Sequence, residues 1–223
     1  MFARHDLIWL TAQGWQGCRD RLGDKLGPAG QIALARWQQA DWPAIVRRAD
    51  VDMAGDEVSI GIALPPDAES GHKSRIALCV PVAEVRCVRK PLGVDAVLVR
   101  APTRWRTALQ LLADDVVRNN VAFGVYGSLA LQTLTAEAYV TGTSDIDLLF
   151  SPTTRAQLEL GIALLQRHAQ ALPLDGEILF PSGQAVAWKE WVLASGNGSR
   201  VLVKDVGSVH LSTMTALLAS FSE

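Results

Sequence analysis

Cysteine is scarce in this chain of 223 residues: Cys18, Cys79 and Cys87 match neither a metal-ligand spacing nor an even-numbered disulfide framework. Reduced thiols in a cytoplasmic protein are therefore expected. Long apolar runs are also missing, since none approaches the roughly 20 residues that span a bilayer. The opening Met1-Phe2-Ala3-Arg4-His5-Asp6 meets charge at once and lacks the apolar stretch and small-residue cleavage site of a secretory signal. No membrane role is expected. Charge of one sign does not dominate either, with a net charge of -2. The clustered basic surface that grips a nucleic acid polymer has no footprint here, so long DNA or RNA is not an expected substrate. His5, His72, His168 and His210 show no mutual spacing for a zinc site or a serine triad, which disfavours hydrolysis through histidine.

What is present fits an ordinary globular protein, 49% hydrophobic and 20% charged. The length suits one large or two small domains. Over the first ninety or so residues Gly, Pro and Trp are scattered among short strand-like runs with no long helical period. Leu7 to Leu10 and Val58 to Leu64 have strand character, Gln31 to Gln39 reads as one short helix, and a β-rich run covers Arg75 to Val88. Pro91-Leu92-Gly93 marks the boundary, giving domains 1–92 and 93–223.

Beyond Pro102-Thr103 helix and strand alternate. Leu109, Leu112, Val116 and Val117 form the apolar stripe of a helix over Arg104 to Arg118, and Val121 to Tyr126 reads as a buried strand. Gly127-Ser128 is the turn that opens the next helix. Asp145 to Phe150 reads as a strand, and Thr153 to Ala171 as an amphipathic helix burying Leu158, Ile162 and Leu165. Leu174 to Phe180 is a further strand, Gln184 to Trp191 a strand or short helix, and Gly196-Asn197-Gly198 a hairpin-like turn. Val201 to Lys204 is a last strand, with Ser208 capping a terminal helix that reaches Phe221. The predicted fold class is α+β: a small, irregular, β-rich N-terminal domain followed by an α/β domain with a mixed sheet.

The chemistry concentrates in Tyr126-Gly127-Ser128 and Ser144-Asp145-Ile146-Asp147-Leu148-Leu149. On a strand every second side chain points the same way, so Asp145 and Asp147 share a face while Ile146 and Leu148 enter the interior. Two carboxylates so placed suit Mg2+, a hard cation that completes its shell with water and substrate phosphate. Glycine at 127 allows backbone to pass close to a phosphate, and Ser128 offers hydroxyl and amide at the positive end of a helix. Asp175 and Glu177 alternate onto one face of a later strand; Asp175 is the first candidate for a third carboxylate and metal ligand, and Glu177 the second. Lys204 reads as a phosphate-binding cation or a solvated surface lysine. Phosphoryl chemistry needs this kind of part, because in-line positioning and charge neutralisation do most of the catalytic work. Gly-Ser and Asp-x-Asp are each common alone; their order, with a strand before and a helix after the turn, makes them a site. The tryptophans, Trp37, Trp42, Trp105, Trp188 and Trp191 among them, read as packing. Arg47-Arg48 and the group Arg86, Arg89 and Lys90 read as solvated, with contact to an acidic partner or a phosphate-rich substrate as the alternative.

These residues resemble the DNA polymerase β nucleotidyltransferase superfamily, whose motif is Gly-Ser followed by an alternating aspartate pair. With Arg4-His5-Asp6-Leu7, Leu134-Thr135, Tyr139, Leu174-Asp175-Gly176-Glu177 and Ala187-Trp188-Lys189-Glu190 added, the chain resembles the phosphoribosyl-dephospho-CoA transferases, the holo-acyl-carrier-protein synthases of malonate decarboxylase. The resemblance spans nearly the whole chain, with its specific motifs between residues 124 and 190, and implies a substrate- or partner-binding N-terminal domain over 1–92, gripping the CoA-like arm or the carrier, and a nucleotidyltransferase-like domain over 93–223. It implies transfer of a phosphoribosyl-dephospho-CoA group from triphosphoribosyl-dephospho-CoA to a serine of the decarboxylase acyl carrier protein, with release of pyrophosphate. Asp145 and Asp147 match the family's active-site pair. Ala136-Glu137 departs from the pattern, where a glycine is expected after Leu-Thr. The alternatives are a superfamily member using a nucleoside triphosphate on a small molecule or protein, and a catalytically silent nucleotide- or carrier-binding module.

Overall fold

The structure is a computed structural model that describes residues 2–50, 55–67, 69–194, 199–205 and 207–221. It divides into two units, Met1–Lys90 and Pro91–Glu223. The expected turn at Gly196-Asn197-Gly198 lies outside the described residues. No helix among those described is long and apolar enough to cross a membrane.

In the first unit β1 (Leu7–Leu10) leads directly into α1 (Ala12–Leu22). Thr11 caps that helix, its side-chain oxygen accepting from Gly14 N at 3.0 Å. The sequence reading had no helix here. Gly14 and Gly17 weaken the helical period, and only Trp15 and Cys18, both buried, mark the inner face. Gly14 suits the tight packing here, because a Cβ would sit 3.0 Å from the Glu84 Cβ and push that neighbour by a few tenths of an ångström. Next come α2 (Gly27–Gln39), longer than the expected Gln31 to Gln39, then β2 (Ala44–Val46), β3 (Glu57–Ala63), β4 (Arg75–Pro81) and β5 (Val85–Arg89). They form an antiparallel sheet in the order β4-β3-β2-β1-β5. Trp37 fills the interior and donates from its indole to Pro43 O at 3.1 Å. Lys90 is not simply solvated: its Nζ lies 3.0 Å from the buried Asp6 carboxylate, which also accepts from Ala3 N.

The second unit begins with β6 (Leu92–Gly93) and α3 (Val94–Val97), so the boundary falls between Lys90 and Pro91. The amphipathic α4 (Thr103–Arg118) follows, then β7 (Phe123–Tyr126), α5 (Gly127–Thr135), β8 (Ile146–Phe150), α6 (Arg155–His168), β9 (Leu174–Leu179), β10 (Ala185–Ala187), α7 (Trp188–Leu193), β11 (Arg200–Lys204), β12 (Val209–Thr213) and α8 (Met214–Leu218). Leu109 and Leu112 are buried as expected and Val116 packs against the core, but Val117 is exposed, because a rotation of about 100° per residue carries it off the stripe that Val116 continues. The strands form one mixed sheet in the order β12-β11-β10-β9-β8-β7-β6. Only β8 and β9 pair in parallel, as their connection through α6 requires.

Ser208 does not cap a helix; it closes a turn in which Asp205 N donates to Ser208 O at 3.0 Å and the Asp205 carboxylate accepts from Gly207 N and from the Ser208 hydroxyl, each at 2.8 Å. That turn folds Val209–Thr213 back onto β11, and the last helix starts later, capped by Thr213. An Asx-type turn at Asp205 wins over an N-cap at Ser208, since Val209 and Leu211 continue a strand.

Asp115 of α4 links two helices: its carboxylate meets His168 Nε2 at 3.0 Å, Arg118 Nη1 at 2.6 Å and Arg167 Nη1 at 3.1 Å. The His168 hydrogen bond, then the charges of Arg118, His168 and Arg167, hold the Asp115 carboxyl below the usual carboxylate range. A carboxylate depressed in the folded state stabilises it above its unfolded pKa and loses that contribution as pH falls through its folded value. Asp115→Asn is accordingly expected to lower the urea midpoint at neutral pH, with the gap from wild type closing as the pH drops through the carboxylate range. A gap that stays constant across that range would contradict this account.

Candidate active site

The central strand β8 buries Ile146, Leu148 and Phe150 on one face and leaves Asp147 half-buried on the other. Asp147 stands in register between Tyr126 of β7 and Asp175 of β9. Here two neighbouring strands bring carboxylates into register on the predicted face. Gly127, at φ 68°, closes the site: a Cβ there would lie 2.0 Å from Asp147 Oδ2, so only glycine lets the aspartate sit against the start of α5. Ser128 is the second residue of that nine-residue helix.

Asp145 precedes β8 by one residue and is exposed, on the loop that leads into the strand. The loop is built from short polar bonds. Thr141 N donates to Ser144 Oγ at 2.9 Å, Arg104 Nη2 donates to Thr141 O at 2.9 Å, and Ile146 N is held by Pro173 O at 2.8 Å. Further back, Gln132 of α5 accepts from Tyr139 N at 3.2 Å and Val140 N at 3.0 Å, while its Nε2 donates to Arg100 O at 2.8 Å. Ala136 takes the left-handed conformation at φ 61°, so the position where a glycine is expected keeps a glycine's backbone with an alanine in it. Gln132→Leu removes the amide acceptor and is expected to destabilise the protein by about 1 to 2 kcal/mol. It should also speed hydrogen exchange at the Tyr139 and Val140 amides; unchanged exchange there would refute the staple.

The two candidates for a third carboxylate have different surroundings. Asp175 is 41% exposed in its side chain, and its Oδ1 accepts from Gly176 N at 2.9 Å with Lys189 Nζ at 3.7 Å. Glu177 is buried, one strand repeat away, and meets Lys204 Nζ at 2.9 Å. The structure thus brings together Asp147, Asp175, Gly127 and Ser128, leaves Asp145 exposed one residue before β8, and pairs Glu177 with Lys204 one strand repeat further on. Lys189 and Gln132 were missed by sequence reasoning. Lys189 lay within Ala187-Trp188-Lys189-Glu190 without an assigned role, and Gln132 carries no pattern that separates it from a surface glutamine.

Among the described residues no three His, Cys, Asp or Glu side chains form a ready-made metal cage. Mg2+ does not need one: it retains waters and takes one or two carboxylates plus substrate phosphates. The donor set here, carboxylate oxygens without thiolate or imidazole, fits such a hard ion.

Comparison with known proteins identifies the family. Residues 91–215 match the family described as phosphoribosyl-dephospho-CoA transferase MdcG C-terminal domain, and residues 3–91 match its N-terminal domain counterpart. The chain belongs to the phosphoribosyl-dephospho-CoA transferase family. Relatives carrying the name phosphoribosyl-dephospho-CoA transferase include a protein of Xanthomonas campestris pv. campestris, 36% identical over 219 residues and 97% of both chains. Another, from Bradyrhizobium diazoefficiens, is 36% identical over 93% of this chain and 88% of its own. A third, from Azotobacter vinelandii, is 28% identical over 89% of this chain and 91% of its own. No solved structure matches. Within the transferase family the two matched domains meet at residue 91, where the structure also divides.

Proposed function

We propose that the chain transfers the phosphoribosyl-dephospho-CoA group of triphosphoribosyl-dephospho-CoA to a serine of the acyl carrier protein subunit of malonate decarboxylase, in the cytoplasm, with release of pyrophosphate. The observation that carries the reading is the in-register pair Asp147 and Asp175 set against Gly127 at the start of α5, in a chain of this transferase family. The carrier serine oxygen forms a bond to the α-phosphorus of the donor. The bond from that phosphorus to the oxygen bridging it to the next phosphate breaks, and pyrophosphate departs with the electron pair.

Asp175 takes the serine proton, being the exposed member of its strand pair, while Glu177 is occupied by Lys204. Backbone N–H groups and the Ser128 hydroxyl at the start of α5 receive the departing phosphates. Lys189, on the same end of the sheet, adds a positive charge beside Asp175. Lys204 serves the site indirectly, keeping Glu177 neutralised behind it. Asp147, with Asp145 on the loop before it, would hold Mg2+, which when bound neutralises triphosphate charge and makes the attacking hydroxyl more acidic.

Intact-mass measurement of the carrier, after incubation with enzyme, Mg2+ and donor, tests the reading. The expected result is one added prosthetic group per carrier and one pyrophosphate released. Transfer from labelled ATP as readily as from the CoA-derived donor would instead indicate a general nucleotidyltransferase. Donor binding without pyrophosphate release would indicate a silent binding module.

A further inference from the structure

The first unit contains a cavity for which the phosphoryl chemistry has no use. It lies between α1 and the β3–β4 side of the sheet, is partly open to solvent and has a volume of about 380 Å³, within the ~300 to 1,000 Å³ usual for small-ligand pockets. Leu22, Ala77 and Leu78 give it apolar wall, and the thiols of Cys18 and Cys79 line it as well. Burial pushes the Cys18 thiol up to about 11, so it stays uncharged at neutral pH.

The charged lining cancels. Arg21 Nη2 is 2.6 Å from Glu57 Oε1, and Arg47 grips Asp50 through both terminal nitrogens, with Nη1 to Oδ1 at 2.7 Å. Arg47 is further fixed by donating from Nε to Ile60 O at 3.0 Å, and Cys79 Sγ donates to Asp50 Oδ2 at 3.3 Å. A phosphate entering here would meet a carboxylate beside each guanidinium, which removes the advantage an anion site needs. An uncharged chain fares better: its methylenes lie on the apolar wall, and its amides find N–H donors and carboxylate acceptors side by side at the two ion pairs.

We propose that this cavity receives the pantetheine arm of the CoA-derived donor, the neutral, amide-bearing chain that ends in a thiol. The inference takes its ligand from the proposed function and extends it to a second binding element outside the phosphoryl-transfer site. Ala77 is the position to test, because it lines the cavity yet is exposed on β4 and pairs with Gly61, so a larger side chain fills the cavity without entering the core.

Isothermal titration of the full chain with dephospho-CoA and with ADP, which lacks the arm, measures its contribution. Wild type is expected to favour dephospho-CoA by roughly tenfold or more, about 1.4 kcal/mol. Ala77→Phe should erase that preference and leave ADP affinity unchanged, while Ala77→Ser keeps it. Near-UV circular dichroism checks that the variants are folded, with Ala77→Leu replacing Ala77→Phe if the latter is not. Equal wild-type affinity for the two probes, or a preference that survives in the filled variant, overturns the pantetheine site while the transfer reaction stands. Failure of wild type to bind either probe, with no transfer to the carrier, overturns the donor assignment and this site together.

Discussion

Asp147→Asn is expected to lower carrier modification by about 10³-fold, equivalent to about 4 kcal/mol of transition-state stabilisation. The substitution keeps the shape of the side chain and removes only its charge. Asp147 is the carboxylate most tightly placed by the fold, between Tyr126 and Asp175 and against the Cβ-less Gly127. An asparagine there still fits the space, so equilibrium unfolding should shift by no more than about 1 kcal/mol. The informative measurement pairs initial rates of pyrophosphate release with denaturant midpoints on the same preparations. A variant that retains more than a small fraction of wild-type transfer would remove Asp147 from the chemistry, and one that loses activity because it unfolds would assign it a structural role.

Gly176→Ala is expected to have the largest effect on stability. Gly176 sits in β9 between the two candidate carboxylates, at φ 127°, a conformation side chains rarely adopt. A Cβ there would lie 1.9 Å from Leu148 O and 2.6 Å from Leu148 N. Both are backbone atoms of the central strand, so the clash is relieved only by opening the parallel β8–β9 pairing that aligns Asp175 with Asp147. A cost of about 4 kcal/mol or more follows, at the exceptional end for single substitutions. Gly183→Ala supplies the control: φ is also positive, at 82°, but nothing lies within 4 Å of its Cβ, so only the left-handed penalty of about 1 to 2 kcal/mol applies. Urea unfolding of the two variants separates steric overlap from backbone strain, and comparable destabilisation would refute the clash.

How far the chain can be read without coordinates depends on whether the governing contact is local. The strands at Leu7, Val58, Asp145 and Leu174 and the helices over α4 and α6 were legible, because alternation and the 3.6-residue period report which face is buried. The helix α1 was not: Gly14 and Gly17 look like helix breakers until Gly14 is seen facing Glu84, a residue distant in sequence. The strand β12 was missed for a similar reason. Ser208 has the chemistry of a helix cap and of a turn, and the pairing of Val209–Thr213 with β11 decides between them. At the site, alternation offered Asp175 and Glu177 equally. Burial and the partner at Lys204 distinguish them, and neither is encoded at the local spacing.

By itself, the sequence determined the α+β class, the order of the main elements in the second unit and the glycine beside the helix start. These follow from periodicity and backbone stereochemistry, which act over a few residues. Tertiary structure alone decided that Asp147 meets Asp175 across a parallel pair, that Lys204 belongs to Glu177, that Lys189 approaches Asp175, and that a neutral cavity forms in the first unit. Each depends on strand register or on packing between segments far apart in the chain, where a shift of one residue would turn every side chain to the opposite face.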